Sequence, residues 1–137
     1  MAETTAKKQD YFYALGRRKS ATAQVRLKSG KGVITINGVP AEQYLASSKF
    51  LLEDLNKPFM VLENNGKFDV SATVKGGGHA GQVEAIRLAI AKALVLVDEG
   101  VKGTLRRAEL LSRDSRERER KKFGLRGARK QRQFTKR

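Results

Sequence analysis

Val74-Lys75-Gly76-Gly77-Gly78-His79-Ala80-Gly81-Gln82-Val83-Glu84-Ala85-Ile86-Arg87-Leu88-Ala89-Ile90-Ala91-Lys92-Ala93-Leu94 is the stretch that decides the fold. Its first residues close an alternating run, Phe68 to Lys75, in which Phe68, Val70, Ala72 and Val74 share a face. Period two is the mark of a strand buried on one side. After the glycines the period changes. Val83, Ile86, Ile90, Leu94 and Val97 follow one another at spacings of 3, 4, 4 and 3, which lays one apolar stripe along a helix. Glu84, Arg87 and Lys92 fall off that stripe. The unit is a strand, a glycine turn and a long helix.

Upstream, Tyr11 to Leu15 reads as a first strand. Ala21 to Lys28 reads as a second, with Ala21, Ala23, Val25 and Leu27 alternating against Thr22, Gln24, Arg26 and Lys28. Gly30-Lys31-Gly32 turns the chain into a β-prone run, Val33 to Ile36, which Asn37-Gly38 ends. Pro40 suits a first helical position, and Ala41 to Asn56 reads as one or two short helices. Phe59 to Glu63 reads as a strand, and Asn64-Asn65-Gly66 as a hairpin turn. Downstream, Gly100 is a stop and Thr104 to Leu111 a short helical segment. Strands and helices mix without regular alternation. The pattern predicts a single small α+β domain with one sheet and packed helices over 11–112, preceded by a loose polar arm over 1–10.

The 137 residues carry a net charge of +15, with 29 Lys/Arg against 14 Asp/Glu. The excess is uneven. Arg113 to Arg137 contribute +9, and no acid occurs from Arg120 onward. An acid-free block repels itself and requires a polyanion, of which nucleic acid is the commonest. The segment 113–137 is therefore read as an extended basic tail. Arg116, Arg118, Arg120, Lys121 and Lys122 alternate with Glu117 and Glu119 in a portion with helical potential; Gly124 and Gly127 break it, and Arg126, Arg129, Lys130, Arg132, Lys136 and Arg137 follow. Phe123 and Phe134 are rings able to stack on bases. Fully extended, 120–137 would reach on the order of 60 Å at ~3.3–3.6 Å per residue.

Other readings are weaker. With no cysteine and one histidine, a thiolate metal site, a disulfide framework and a cysteine nucleophile are excluded, and no metal or cofactor is expected. No run approaches the ~20 apolar residues of a membrane span, and 1–10 lacks a signal-peptide core, so the expectation is a cytosolic protein. Gly76 to Gly81 satisfies G-x-G-x-x-G and has Asp98 downstream, but that acid ends a helix rather than a second parallel strand. The glycines still let backbone N–H groups approach a phosphate, or else simply make a tight turn. Arg17-Arg18-Lys19 stand before the second strand as further phosphate contacts, with a solubilising loop as the alternative. A nucleotide-dependent enzyme and a DNA-compacting protein are the rival functions. The first requires saturable binding of free nucleotide, the second a preference for duplex DNA.

Four segments, Tyr13 to Leu27 (YALGRRKSATAQVRL), Ile34 to Tyr44 (ITINGVPAEQY), Val74 to Leu94, and Leu110 to Arg137 (LLSRDSRERERKKFGLRGARKQRQFTKR), resemble in the same order the family of small-subunit ribosomal protein nine, in its bacterial form. The resemblance implies a ribosomal protein S-five domain-two-like fold: a mixed sheet with a left-handed βαβ crossover. It implies a non-catalytic ribosomal component in the cytoplasm, with no small-molecule substrate and no membrane. Its partners would be the 3′ major domain of small-subunit rRNA in the subunit head, neighbouring head proteins, and the anticodon stem of P-site tRNA. It places Arg17, Arg18, Lys19, Gly76, Gly77, Gly78, His79, Arg116, Arg118, Arg120, Lys121, Lys122 and Arg126 toward rRNA, and Arg129, Lys130, Arg132, Lys136 and Arg137 toward tRNA. The chain ends Thr135-Lys136-Arg137 where the family commonly has Ser-Lys-Arg, and Gln131-Arg132-Gln133 replaces a frequent proline.

Overall fold

Alternation holds along Ala21–Ser29 up to Lys28: Ala21, Ala23, Val25 and Leu27 are at most 1% exposed, while Gln24, Arg26 and Lys28 face water; Ser29, at the strand end, is exposed. This strand, β2, pairs antiparallel with β1 (Phe12–Arg18) on one side and β5 (Phe68–Lys75) on the other. β3 (Ile34–Ile36) runs parallel to β5, and β4 (Val39–Pro40) pairs antiparallel with β3. The sheet order is β1-β2-β5-β3-β4. The computed structural model describes residues 11–63 and 66–134; the arm 1–10, Asn64, Asn65, and the terminal Thr135, Lys136 and Arg137 lie outside the described residues.

Between β4 and β5 lie α1 (Ala41–Tyr44) and α2 (Lys49–Val61); α3 (His79–Val97) follows β5, and a 3-10 turn (Glu99–Val101) leads to α4 (Lys102–Arg107). The expected strand at Phe59 to Glu63 is instead the last turn of α2 and the residues after it. Leu55 and Phe59, one turn apart, both bury inward, and Phe59 stacks on Phe68 with ring centroids 6.2 Å apart. That packing holds Pro58 inside the helix although its ring denies a hydrogen bond to the preceding turn. The hairpin turn expected at Asn64-Asn65-Gly66 falls on Asn64 and Asn65, outside the described residues; the element before it is helix, not strand.

α3 is the centre of the domain and packs on β1, β2 and α2. Val83, Ile86, Ile90 and Leu94 are at most 2% exposed, as are Ala85, Ala89 and Ala93; Val97 is 38% exposed. The small residues matter on the β1 side. A Cβ at Gly16 would lie 1.9 Å from Ala85 O, so strand and helix backbones touch there. Full burial contributes about 1.5–3 kcal/mol for each of the large aliphatic side chains.

The hand of the β3-to-β5 connection follows from L-chirality. Val70 turns its side chain into the core shared with α2 and α3, and its N–H donates to Val33 O on the β3 side at 2.9 Å. Viewed from the helices with β5 running upward, an L-residue whose side chain points at the viewer turns its N–H and C=O to the right. β3 therefore lies to the right of β5. The chain travels leftward as it crosses the helix layer, a left-handed crossover against the general rule.

Candidate nucleic-acid interface

One end of the sheet gathers segments far apart in sequence. β1 ends at Arg17-Arg18, turns through Lys19 (φ 53°) and Ser20, and re-enters as β2, with Arg18 opposite Ala21. β5 ends beside it, Lys75 opposite Thr22, and runs into the glycines. Gly76 and Gly77 take φ of 75° and 66°, the left-handed region that glycine adopts without strain. Space demands glycine as well: a Cβ at Gly76 would stand 2.5 Å from Ser20 O, and one at Gly77 3.1 Å from the Cβ of Ala21. The glycine turn thus lies directly on the Lys19-Ser20 turn, and Gly78 begins α3 with no side-chain cap.

Three polar side chains brace this end, and the sequence pattern pointed to none of them. Buried Gln82 donates from Nε2 to Gly76 O at 3.0 Å and accepts from Tyr44 Oη at 2.7 Å. The Tyr44 ring lies 5.4 Å from that of exposed His79. Asn37 accepts from Val74 N at 2.9 Å and donates to Val74 O at 3.3 Å, copying a strand partner for the end of β5. Arg17, Lys19 and Lys75 are exposed, and none of them enters an ion pair among the described residues. Lys75 was legible only as the last outward position before the glycines.

Arg18 is placed differently from its neighbours. Strand alternation sends Arg17 outward and Arg18 inward, where only 8% of it is exposed. Its guanidinium pairs with Glu84 of α3, lies 3.2 Å from Asp114 Oδ2, and donates to Arg116 O at 3.0 Å. These internal partners occupy the fork that an RNA phosphate would need. The contacts root the tail at the end of the sheet where Arg17 and Lys19 stand. Asp114 also accepts from the side chain and backbone N–H of Arg116, which hold its carboxyl well below the usual carboxylate range.

Beyond Leu110, which is buried, the tail contains no helix among the described residues. The helical potential of 116–122 is not realised: 113–122 runs without turn or bend. Arg118, Arg120, Lys121, Arg126, Arg129, Lys130 and Arg132 are exposed. Glu119 pairs with Lys122 and with Arg129 Nε at 3.1 Å, and Arg126 N donates to Lys130 O at 2.9 Å across a tight reversal closed by Leu125 and Gln131. Phe123 and Phe134 are 98% and 87% exposed, and among the described residues neither ring has a protein partner to stack on.

The dinucleotide fingerprint lacks its acid. Asp98 caps the end of α3 and accepts from Gly100 N at 2.9 Å, and a 3-10 turn follows in place of a second parallel strand. No cluster of three His, Cys, Asp or Glu side chains able to hold a metal occurs among the described residues, and no helix there is long and apolar enough to cross a membrane.

Comparison with known proteins agrees with this arrangement. The family model described as "Ribosomal protein S9/S16" matches residues 16–137. The "Small ribosomal subunit protein uS9" of Maridesulfovibrio salexigens is 45% identical over 129 residues, covering 94% of this chain and 98% of that protein. The match takes in the sheet end, the glycine turn and the whole tail, and on it the chain belongs to the ribosomal protein S9/S16 family, structural and non-enzymatic components of the ribosome.

Proposed function

We propose that this structural constituent of the small ribosomal subunit binds the 3′ major domain of small-subunit rRNA in the subunit head, and that its tail continues to the P site and meets the anticodon stem of the bound tRNA. The observation that carries the reading is the Arg18 clamp. By tying Asp114 and Arg116 to the sheet end, it joins Arg17, Lys19, Lys75 and the glycine turn to the tail as one basic surface. Cations there neutralise closely packed phosphates, and the glycine turn offers backbone N–H groups at the start of α3. Arg116, Arg118, Arg120, Lys121, Lys122 and Arg126 take rRNA, whereas Arg129, Lys130, Arg132, Lys136 and Arg137 face tRNA. As part of the ribosome the chain works in the cytoplasm, beside neighbouring proteins of the head.

A footprint on small-subunit rRNA with and without the chain tests the first half. Protection confined to the head supports it, and equal affinity for duplex DNA and rRNA overturns it. The second half is tested by removing residues 133–137. The domain should fold unchanged while P-site tRNA retention weakens, and equal retention by intact and truncated subunits across a salt titration overturns it. Each phosphate neutralised should add about −0.9 to the slope of log affinity against log salt.

A further inference from the structure

Among the described residues the helices pack into the core on one face of the sheet, and the outward positions of β1, β2 and β5 on the other are exposed or half-buried. These positions, aligned by the strand register, form three rows: Tyr13, Arg26 and Ser71; Leu15, Gln24 and Thr73; Arg17, Thr22 and Lys75. Tyr11, Lys28, Asp69 and Thr35 extend the first row at its corner. The Arg26 guanidinium lies over the Tyr11 ring, 5.4 Å from its centroid. Beside that contact is a cleft of about 440 Å³ walled by Tyr11, Arg26, Lys28, Thr35, Asp69 and Ser71. Four cations thus share a face with one acid. That acid is already engaged: Asp69 Oδ1 accepts from Lys31 N, Gly32 N and Val33 N at 2.9, 3.1 and 3.0 Å.

We infer that this open face is a second RNA-binding surface, which takes an unpaired nucleotide with its base in the cleft against Arg26. The inference rests on the rRNA-binding reading above and adds the kind of RNA bound. Charge selects a polyanion over a protein partner, because four cations on the face meet a single carboxylate, Asp69, which three backbone N–H groups hold at the rim of the cleft. Shape selects a single strand. A flat guanidinium held near a tyrosine ring by a cation–π contact offers a plane for a base, and base stacking of this kind is what distinguishes single-strand surfaces from duplex-binding ones. The Ser71 and Thr35 hydroxyls line the cleft within reach of base edges, and Lys28 stands at its rim for the adjoining phosphate. At the far end of the face, Arg17 and Lys75 flank Thr22 and continue the cationic track to the glycine turn, so a strand lying on the sheet would meet the sheet-end site without a break.

The full chain is titrated with a short single-stranded oligoribonucleotide and, separately, with a hairpin duplex of equal length. Arg26→Lys keeps the charge and loses the plane; Tyr11→Ala with Arg26→Gln removes both. The expected result is a loss of about five- to tenfold in affinity for the single strand in either variant, with duplex affinity for Arg26→Lys within about twofold. In the unmutated chain, amide and side-chain resonances of Tyr11, Tyr13, Arg26 and Ser71 shift with the single strand. Unchanged single-strand affinity, or equal losses on both RNAs for Arg26→Lys, overturns the inference. So do resonance shifts on this face produced by another small-subunit protein and not by RNA, or by deleting residues 1–10 alone. If salt-dependent binding to the 3′ major domain survives in these cases, only the sheet-face inference falls. If the chain fails to bind that rRNA at all, the underlying reading falls as well.

Discussion

Arg18 and Asp114, 96 positions apart in the chain, meet with Nη2 3.2 Å from Oδ2, and this contact roots the basic tail on the folded domain. The same guanidinium answers Glu84 and the carbonyl of Arg116, and the Arg18 side chain is only 10% exposed. Arg18→Met removes a nearly buried charge from partners that are each about a third exposed, so solvent offsets part of the loss. The expected cost is about 1–3 kcal/mol, read as a lower urea midpoint at constant slope. Backbone order parameters at 113–116 should fall below about 0.6. An unchanged midpoint with an ordered tail root would remove the clamp from the account.

Gly16→Ala is expected to be severe. The added methyl meets Ala85 O at 1.9 Å and Ala89 N at 2.9 Å, both backbone atoms of the central helix. No side chain can swing aside, so β1 must separate from α3, at about 3 kcal/mol or more. Thermal unfolding measures it, with Gly38→Ala as a control: no atom crowds a Cβ at Gly38, and only its φ of +79° opposes the change.

Gln82→Leu keeps the volume and strips the two bonds that brace the glycine turn. Gly76 O and Tyr44 Oη then lose their shared partner, at about 1–3 kcal/mol. Amide exchange at 76–79 should accelerate more than in the core of α3, and rRNA affinity should fall several-fold. Slow exchange in the variant would show that the turn is held by other means.

Acid should loosen the β2–β3 loop. Hydrogen bonds from the backbone N–H groups of Val33 and Lys31, with that of Gly32 and the Lys31 charge, lower the Asp69 carboxyl below its ordinary value of 3.8. A depressed folded value means that the contribution is complete above the unfolded value and is lost as pH falls through the folded one. Unfolding midpoints measured downward from about pH 4 should drop less steeply in Asp69→Asn than in the unmutated chain. Parallel acid limbs would count against this role for Asp69.

The fold was legible where one period dominates. β2 and β5 alternate cleanly over their central residues, and the stripe residues of α3 up to Leu94 are all buried, whereas Gln82, Ala85, Leu88, Ala89, Ala91 and Ala93, buried beside them, lie off the stripe. Phe59 to Glu63 misled because a short apolar run after a proline fits a strand as well as a helix end, and the packing that decides, Phe59 on Phe68, joins segments that periodicity cannot connect. The arginine pair shows the same limit in the candidate site. Extending the alternation of β1 by three residues beyond Leu15 would have separated outward Arg17 from inward Arg18, but the carboxylates that receive Arg18 lie on α3 and beyond α4. Gln82 and Asn37 gave no signal, because a side chain that replaces a missing backbone partner is recognisable only once the backbone is placed.

The clamp at Arg18 also makes the tail a lever with a short fulcrum. Glu119 ties Arg129 back across the reversal closed by Leu125 and Gln131, so a rotation about the root carries this whole loop with it. The direction in which the tail leaves the domain is therefore set by how tightly two carboxylates grip one guanidinium, and a change there would be felt along the loop beyond it.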